Sequence, residues 1–268
     1  MPLSVSGAAR CQIALGELVE GVATLEQTRA LLARLPGVTH GWQLLHHQGA
    51  EDALVMALDE GWEQRIREFG PWMARQPTEH WGSAAIDAIG ARAQARKGHV
   101  GQAMALLARP VRALRLAPAW APNYCRMACE VAETLWLLDR RDHLAVVESA
   151  LRDKALPADF RFPMTDARLA LGRLCALVGR TDEAARWFAE ARDVLDAQRA
   201  RPLRAVVDHD EALMWLRSGD AAAARPLVAA ADAAFRELGM HGWSRRLARQ
   251  SRRTSPISAQ STPGGSSW

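Results

Sequence analysis

Lysine is nearly missing from this 268-residue chain: Lys97 and Lys154 are the only two, and neither follows a glycine. A phosphate-cradling P-loop ends in Gly-Lys, so that nucleotide site is excluded. The four cysteines, Cys11, Cys125, Cys129 and Cys175, are too few and too scattered for a disulfide framework. A reducing, cytoplasmic setting is the expectation. No run of 18 or more apolar residues occurs, so no membrane span is expected. The opening Met1-Pro2-Leu3-Ser4-Val5-Ser6 lacks the basic region and apolar core of a signal peptide. Runs of β-branched residues are absent too, and no segment calls for a strand. Acidic residues are missing from 245–268, which carries Arg245, Arg246, Arg249, Arg252 and Arg253. The formal net charge is +4, so the positive charge belongs to that end and the body is close to neutral. A nucleic-acid reader places a basic stripe on its folded face, and none is evident, so nucleic acid is not an expected partner.

What is abundant is alanine, leucine and arginine, all good helix formers, arranged in a repeat. Turn centres fall near Gly16, Asp59, Gly98, Asp139, Gly179 and Gly219, about 40 residues apart. The unit around Gly179 shows the logic most plainly. Residues 165–178 predict a first helix with Leu169, Leu171, Leu174 and Leu177 on its apolar side. Gly179-Arg180 ends it, and Thr181 is placed to cap a second helix with Asp182 and Glu183 in its first turn. Ala184 and Ala191 let two helix backbones approach, and Trp187 or Phe188 fills the space beside them. Ala224, Val228 and Ala231 repeat that pattern after Gly219, Ala103 and Leu107 after Gly98, and Leu144 and Glu148 more loosely after Asp139.

A hairpin of this kind cannot bury its apolar face alone and must stack on copies of itself. The expected fold is therefore an all-α solenoid of about six helix pairs over 1–250. Pro110 and Pro226 predict kinks or early breaks in second helices. The connections 116–122 and 156–163 read as ordered loops. Residues 251–268, rich in Ser, Thr, Pro and Gly, read as a disordered tail.

The small residues around each turn resemble the tetratricopeptide repeat in a long-period form, which implies a right-handed superhelix. The stretches 162–184, from Phe162-Pro163-Met164 to Asp182-Glu183-Ala184, and 235–243, Phe235-Arg236-Glu237-Leu238-Gly239-Met240-His241-Gly242-Trp243, are similar to the C-terminal helical region of large bacterial signalling ATPases. That group includes LuxR-type regulators and ATPase-linked adenylate/guanylate cyclase proteins. The resemblance covers about 80–245. The relatives carry a P-loop ATPase ahead of the repeats, and many add a cyclase or a DNA-reading domain. This sequence shows no phosphate loop and no recognition-helix module after Gln250. The resemblance therefore implies a sensor or scaffold segment, without a cofactor or metal. Two roles stay open: a non-enzymatic protein–protein interaction module in bacterial signalling or transcriptional regulation, or the regulatory arm of a nucleotide-dependent ATPase, transcription factor or cyclase acting in cis or in trans.

In such solenoids the first helices line the concave surface. Their inward positions here include Arg92, Arg96, Arg126, Glu133, Trp136, Arg173, His209 and Arg217. Several guanidiniums around a tryptophan suit a peptide bearing carboxylates, although a solvated face has the same composition. Trp136 is the one tryptophan set apart from inter-repeat packing. Cys125 and Cys129 share a helix face, but no second pair at metal spacing accompanies them, so core packing is expected. Asp208-His209-Asp210 is expected on a helix surface or at a cap, since adjacent helical residues diverge by about 100°. His46-His47 beside Glu51 has the same weakness as catalytic vocabulary.

Overall fold

The computed structural model describes residues 2–32, 81–118, 123–158 and 165–254, and all of its long elements are helices. They are α1 (Pro2–Leu15), α2 (Leu18–Leu32), α3 (Trp81–Arg96), α4 (Val100–Leu116), α5 (Tyr124–Leu138), α6 (Leu144–Ser149), α7 (Ala167–Leu177), α8 (Thr181–Ala197), α9 (Arg201–Ser218), α10 (Ala221–Glu237) and α11 (His241–Thr254). α6 runs on through a π-helical stretch, Ala150–Ala155, into a last turn, Leu156–Ala158. Among the described residues there is no strand. The chain is all-α.

Each odd-numbered helix from α1 to α9 pairs with its successor. The first helices of consecutive pairs also touch in chain order, α3 on α5, α5 on α7, α7 on α9 and α9 on α11. Second helices bridge to the next pair, α4 to α5, α8 to α9 and α10 to α11. An added contact joins α1 to α9, with Gly16, just past α1, close to Pro202 of α9 and to Leu238.

The turn residues read from the sequence do one job. Gly16, Gly98, Asp139, Gly179 and Gly219 all take positive φ, between 52° and 96°. In each case the next residue's amide reaches back five positions: Glu17 to Gln12, His99 to Gln94, Arg140 to Leu135, Arg180 to Cys175 and Asp220 to Trp215, at 2.9–3.0 Å. That is a Schellman closure, which satisfies carbonyls at the end of the first helix. The same closure recurs between pairs, with Ala200 reaching Leu195 past Arg199 and Met240 reaching Phe235 past Gly239. Asp139 fills the glycine's place, tolerable because a short polar side chain costs least in that conformation. Asp59 lies outside the described residues.

Thr181 is not the cap expected of it. Arg180 holds the N-cap position without a side-chain bond, since the Schellman closure already fixes the chain there. The true side-chain cap of this unit is Asp166, which accepts from the Arg168 and Leu169 amides, so α7 starts at Ala167 rather than at Thr165. The Asp139 unit departs most. Its second helix begins at Leu144, and Val147 and Leu151 are the fully buried residues rather than Leu144 and Glu148. The delayed start and the π-helical stretch change which side of the helix faces inward.

At α7–α8 the close approach is visible atom by atom. Phe188 is fully buried, and a Cβ at Gly172 would lie 2.8 Å from its ring. Ala184 and Ala191 flank it at zero exposure, as Ala224 and Ala231 do in α10. Pro110 and Pro226 end neither helix: α4 continues to Leu116 and α10 to Glu237. Pro110 is itself buried in the packing, which holds the helix together across the missing amide. The lone tyrosine, Tyr124, is buried and donates its hydroxyl to the Leu114 carbonyl at 3.0 Å, tying α5 to α4. Burial, and then the nearby Asp153, push its pKa up to about 12. α11 extends past Gln250 to Thr254, and 255–268 are outside the described residues.

Candidate functional site

Side chains three or four residues apart share one helix face. Arg92 and Arg96 on α3 and Arg126, Glu130 and Glu133 on α5 are so spaced, Asp210 and Arg217 on α9 lie two turns apart on one face, and stacked helices bring these faces together. The result is a ladder of ion pairs. Arg92 Nη1 donates to Glu130 Oε1 at 2.8 Å, and Arg126 Nε lies 3.6 Å from the same oxygen. Arg96 Nη2 donates to Glu133 Oε1 at 2.7 Å, and Arg173 Nη1 to Glu133 Oε2 at 3.3 Å. Arg173 Nε then reaches Asp210 Oδ2 at 2.6 Å. Asp210 Oδ1 accepts from Trp136 Nε1 at 3.3 Å and meets His209 Nδ1 at 2.8 Å. On the other side of the ring, His209 Nε2 faces the Gln250 Oε1 of α11 at 2.7 Å.

All eight residues read from the sequence are thus in one neighbourhood. Arg92, Arg126, Glu133, Trp136, Arg173 and His209 are buried, with Trp136 only 1% exposed. Arg96 is nearly so, its side chain 4% exposed. Arg217 is exposed, with its guanidinium 4.0 Å above the Trp136 ring and donating to the Trp136 carbonyl at 3.4 Å. The guanidiniums of Arg92, Arg96, Arg126 and Arg173 are occupied by the chain's own carboxylates, rather than being left for a ligand. Asp208, His209 and Asp210 are buried instead of lying on a helix surface. Asp208 pairs with Arg192 and Arg204 on one side of α9, while His209 and Asp210 join the ladder. Adjacent helical positions can both be buried because α9 is packed on several sides, by α8, α10, α7 and α11.

The charges respond as buried partners should. Burial by itself would raise the Glu133 carboxyl, but Arg173, Arg96 and Arg92 outweigh it and hold it far below the usual range. Asp210 is likewise lowered: burial opposes ionisation, and Arg173 and His209 overcome it. Arg173 is raised, because Asp210 and Glu133 outweigh its burial. Arg217 goes the other way. The residue as a whole is exposed, but its guanidinium is partly desolvated where it lies over the Trp136 ring; this lowers its pKa, and the attractions of Asp139 and Asp210 do not make up the difference.

Sequence reasoning missed the partners Glu130, Trp243, Arg246 and Gln250, and gave Asp210 the wrong surroundings. Glu130 was detectable as the residue one turn after Arg126. The α11 residues had no such signal, because their position depends on how α11 sits against α9. Trp243 stands edge-on to His209, with ring centroids 5.2 Å apart and planes at 86°. The Arg96 and Arg246 guanidiniums lie 5.0 and 5.1 Å from its ring. Glu133, Trp136, Arg173, Asp210, Arg217 and Trp243 are among the residues lining a cavity of about 20 Å³ at this end of the ladder.

Two other clusters carry chemistry-bearing groups. Glu148, Cys175 and Glu183 have donor atoms within 4.8 Å of one another, but Arg152 and Arg180 already pair with both carboxylates. Burial pushes the Cys175 thiol up to about 11, away from the thiolate a metal would need. Cys125 and Cys129 are both buried, and the hydrogen bond that the Cys129 thiol makes to Cys125, with burial, raises Cys129 well above an ordinary thiol. His46, His47 and Glu51 lie outside the described residues. Comparison with protein-family models, curated proteins and solved structures finds no match to this chain. No described helix is long and apolar enough to cross a membrane.

Proposed function

We propose that this chain is a non-enzymatic interaction module: a right-handed superhelical solenoid of about six tetratricopeptide-like hairpins that takes up a segment of a protein partner along the face of its first helices. The observation that carries this reading is the ladder itself. Residues at matching places on α3, α5, α7 and α9 point to a common side and join from Arg92 to Arg217. A buried network of ion pairs helps fix the relative placement of the helices, and a fixed curved face lowers the ordering cost of binding. The buried arginines act as struts in this reading. Partner contact falls to the accessible rim, where Arg217 lies over Trp136 and Leu137 is half-buried at the cavity. The resemblance of 162–184 and 235–243 to bacterial signalling ATPases supports a role in bacterial signalling or transcriptional control. It equally supports work as the regulatory arm of an ATPase, cyclase or DNA-reading protein.

The test is site-specific photo-crosslinking in the source cells, with a benzophenone side chain at Leu137 on the inner face or at Arg186, exposed on α8. A protein adduct formed from Leu137 and not from Arg186 is expected. Adducts from Arg186 alone would move recognition to the outer face and overturn the reading.

A further inference from the structure

Gly16 closes the first helix of the first pair, and its surroundings differ from those of the other turn glycines. A Cβ there would lie 2.6 Å from Leu238 Cδ2 and 3.6 Å from the Pro202 ring. At Gly98, Gly179, Gly219 and Gly239, which share its positive φ, a Cβ would meet nothing within 4 Å. Pro202 stands in the first turn of α9 and Leu238 caps α10, so the first pair touches the last full pair among the described residues. The edges that meet are unlike. Stacked antiparallel hairpins put the turns inside pairs along one edge and the junctions between pairs along the other. Gly16 belongs to the first edge, and Pro202 and Leu238, at the α8–α9 and α10–α11 junctions, belong to the second. A straight row of hairpins never brings those edges together. A row that winds through a full turn does, because a small rotation at every repeat carries its first pair over its last.

The seam is narrow. Leu15 is 37% and Val19 79% exposed on either side of Gly16, and Gly16 and Leu238 are themselves only half-buried. Consecutive pairs, by contrast, are tied by the buried ion pairs of Arg92, Arg96 and Arg173. A contact with little buried apolar surface is among the first to open. We infer that the first helix pair is a releasable clasp: seated on α9 and α10 it closes the array around its inner face, and by lifting off it admits a partner segment from the side. This gating rests on the inner face being where the partner lies. With the clasp shut, a segment that continues into folded structure at both ends has no lateral way in. The fraction of open molecules then scales the apparent affinity for that segment.

A donor–acceptor fluorophore pair on the full chain reports the seam, read molecule by molecule. One dye goes on native Cys11, exposed on α1, and the other on Ala233→Cys, exposed on α10, while Cys125, Cys129 and Cys175 are buried. The otherwise unaltered chain should show one dominant population of high transfer. Two double variants then differ in the sign of the charge across the seam, Gly16→Asp with Leu238→Glu and Gly16→Asp with Leu238→Arg. Aspartate suits the turn, as Asp139 shows, and both variants lose the same leucine, so a shared folding defect cancels. Like charges should open the clasp, with a shift to low transfer and a several-fold rise in photo-adducts from Leu137. Opposite charges should keep the transfer and the adduct yield of the unaltered seam. Low transfer in the unaltered chain, or equal transfer in the two variants, would overturn the clasp. Lost transfer with an unchanged adduct yield would overturn its role in admission. No adducts from Leu137 in any of the proteins, with transfer as expected, would refute the inner face as the partner's path and leave the clasp itself standing. If neither variant folds, warming the unaltered chain decides: transfer should fall before helical circular dichroism does, and a simultaneous loss would overturn the clasp.

Discussion

Arg199 is the residue whose backbone works hardest against its own chemistry. It takes φ 56° at the junction of α8 and α9, in the Schellman position that Gly239 fills 40 residues later. A long side chain in the left-handed region costs about 1–2 kcal/mol, and glycine removes that cost at some expense in unfolded-chain entropy. Because Arg199 is exposed and has no ion pair among the described residues, little else is lost. Arg199→Gly should therefore stabilise the chain by up to about 1 kcal/mol in urea unfolding, by the difference of those two effects. A loss of stability would mean that the arginine contributes a contact beyond its turn. The repeat was readable at this scale because the turn imposes a local backbone requirement. Gly98, Gly179 and Gly219 announce it by residue type, and Asp139 by falling in register.

At the scale of the helix, Arg173 is the hinge of the packing. From its place on α7 it joins α5 to α9 through Glu133 and Asp210, beside the direct bond from Trp136 to Asp210. Arg173→Met leaves buried Asp210 without its guanidinium and Glu133 with Arg96 alone, and breaking a buried pair in this way costs about 3–5 kcal/mol. Adding Asp210→Asn should recover part of that loss, with a coupling of about 0.5–3 kcal/mol in a double-mutant cycle. Additive losses would show that the two side chains do not depend on each other. The sequence placed Arg173 on the inner face through the helical period, but could not show where its guanidinium went. An arginine offered to a partner and one spent on Asp210 have the same spacing, and only the separation of α7 from α9 distinguishes them.

For the whole molecule the ladder sets the response to acid. Glu133 and Asp210 are both depressed in the folded chain, so below about pH 4 the unfolded chain binds more protons than the folded one. Stability is then fully present above that pH and is lost as pH falls toward the folded values, at about 1.4 kcal/mol per pH unit for each group. Because the two carboxylates connect α3, α5, α7 and α9, the loss should appear as one cooperative transition in helical circular dichroism. Stability that is flat between pH 5 and pH 3 would contradict the depressed carboxyls. A stepwise loss would separate the pairs from one another.

The sequence by itself determined the helical character and, among the described residues, the turn inside each pair, because each follows from local rules: periodicity, alanine content, and a left-handed residue where the first helix ends. It also brought the right arginines, Trp136 and His209 to one face. Only the tertiary structure decided what that face is made of. Burial and the stacking of α3, α5, α7, α9 and α11 turned cations expected to meet a ligand into struts paired with Glu130, Glu133 and Asp210. The physical reason is range. A helix period is written within a few residues, whereas an ion pair between Arg173 and Asp210 depends on how two helices 37 residues apart come to lie side by side.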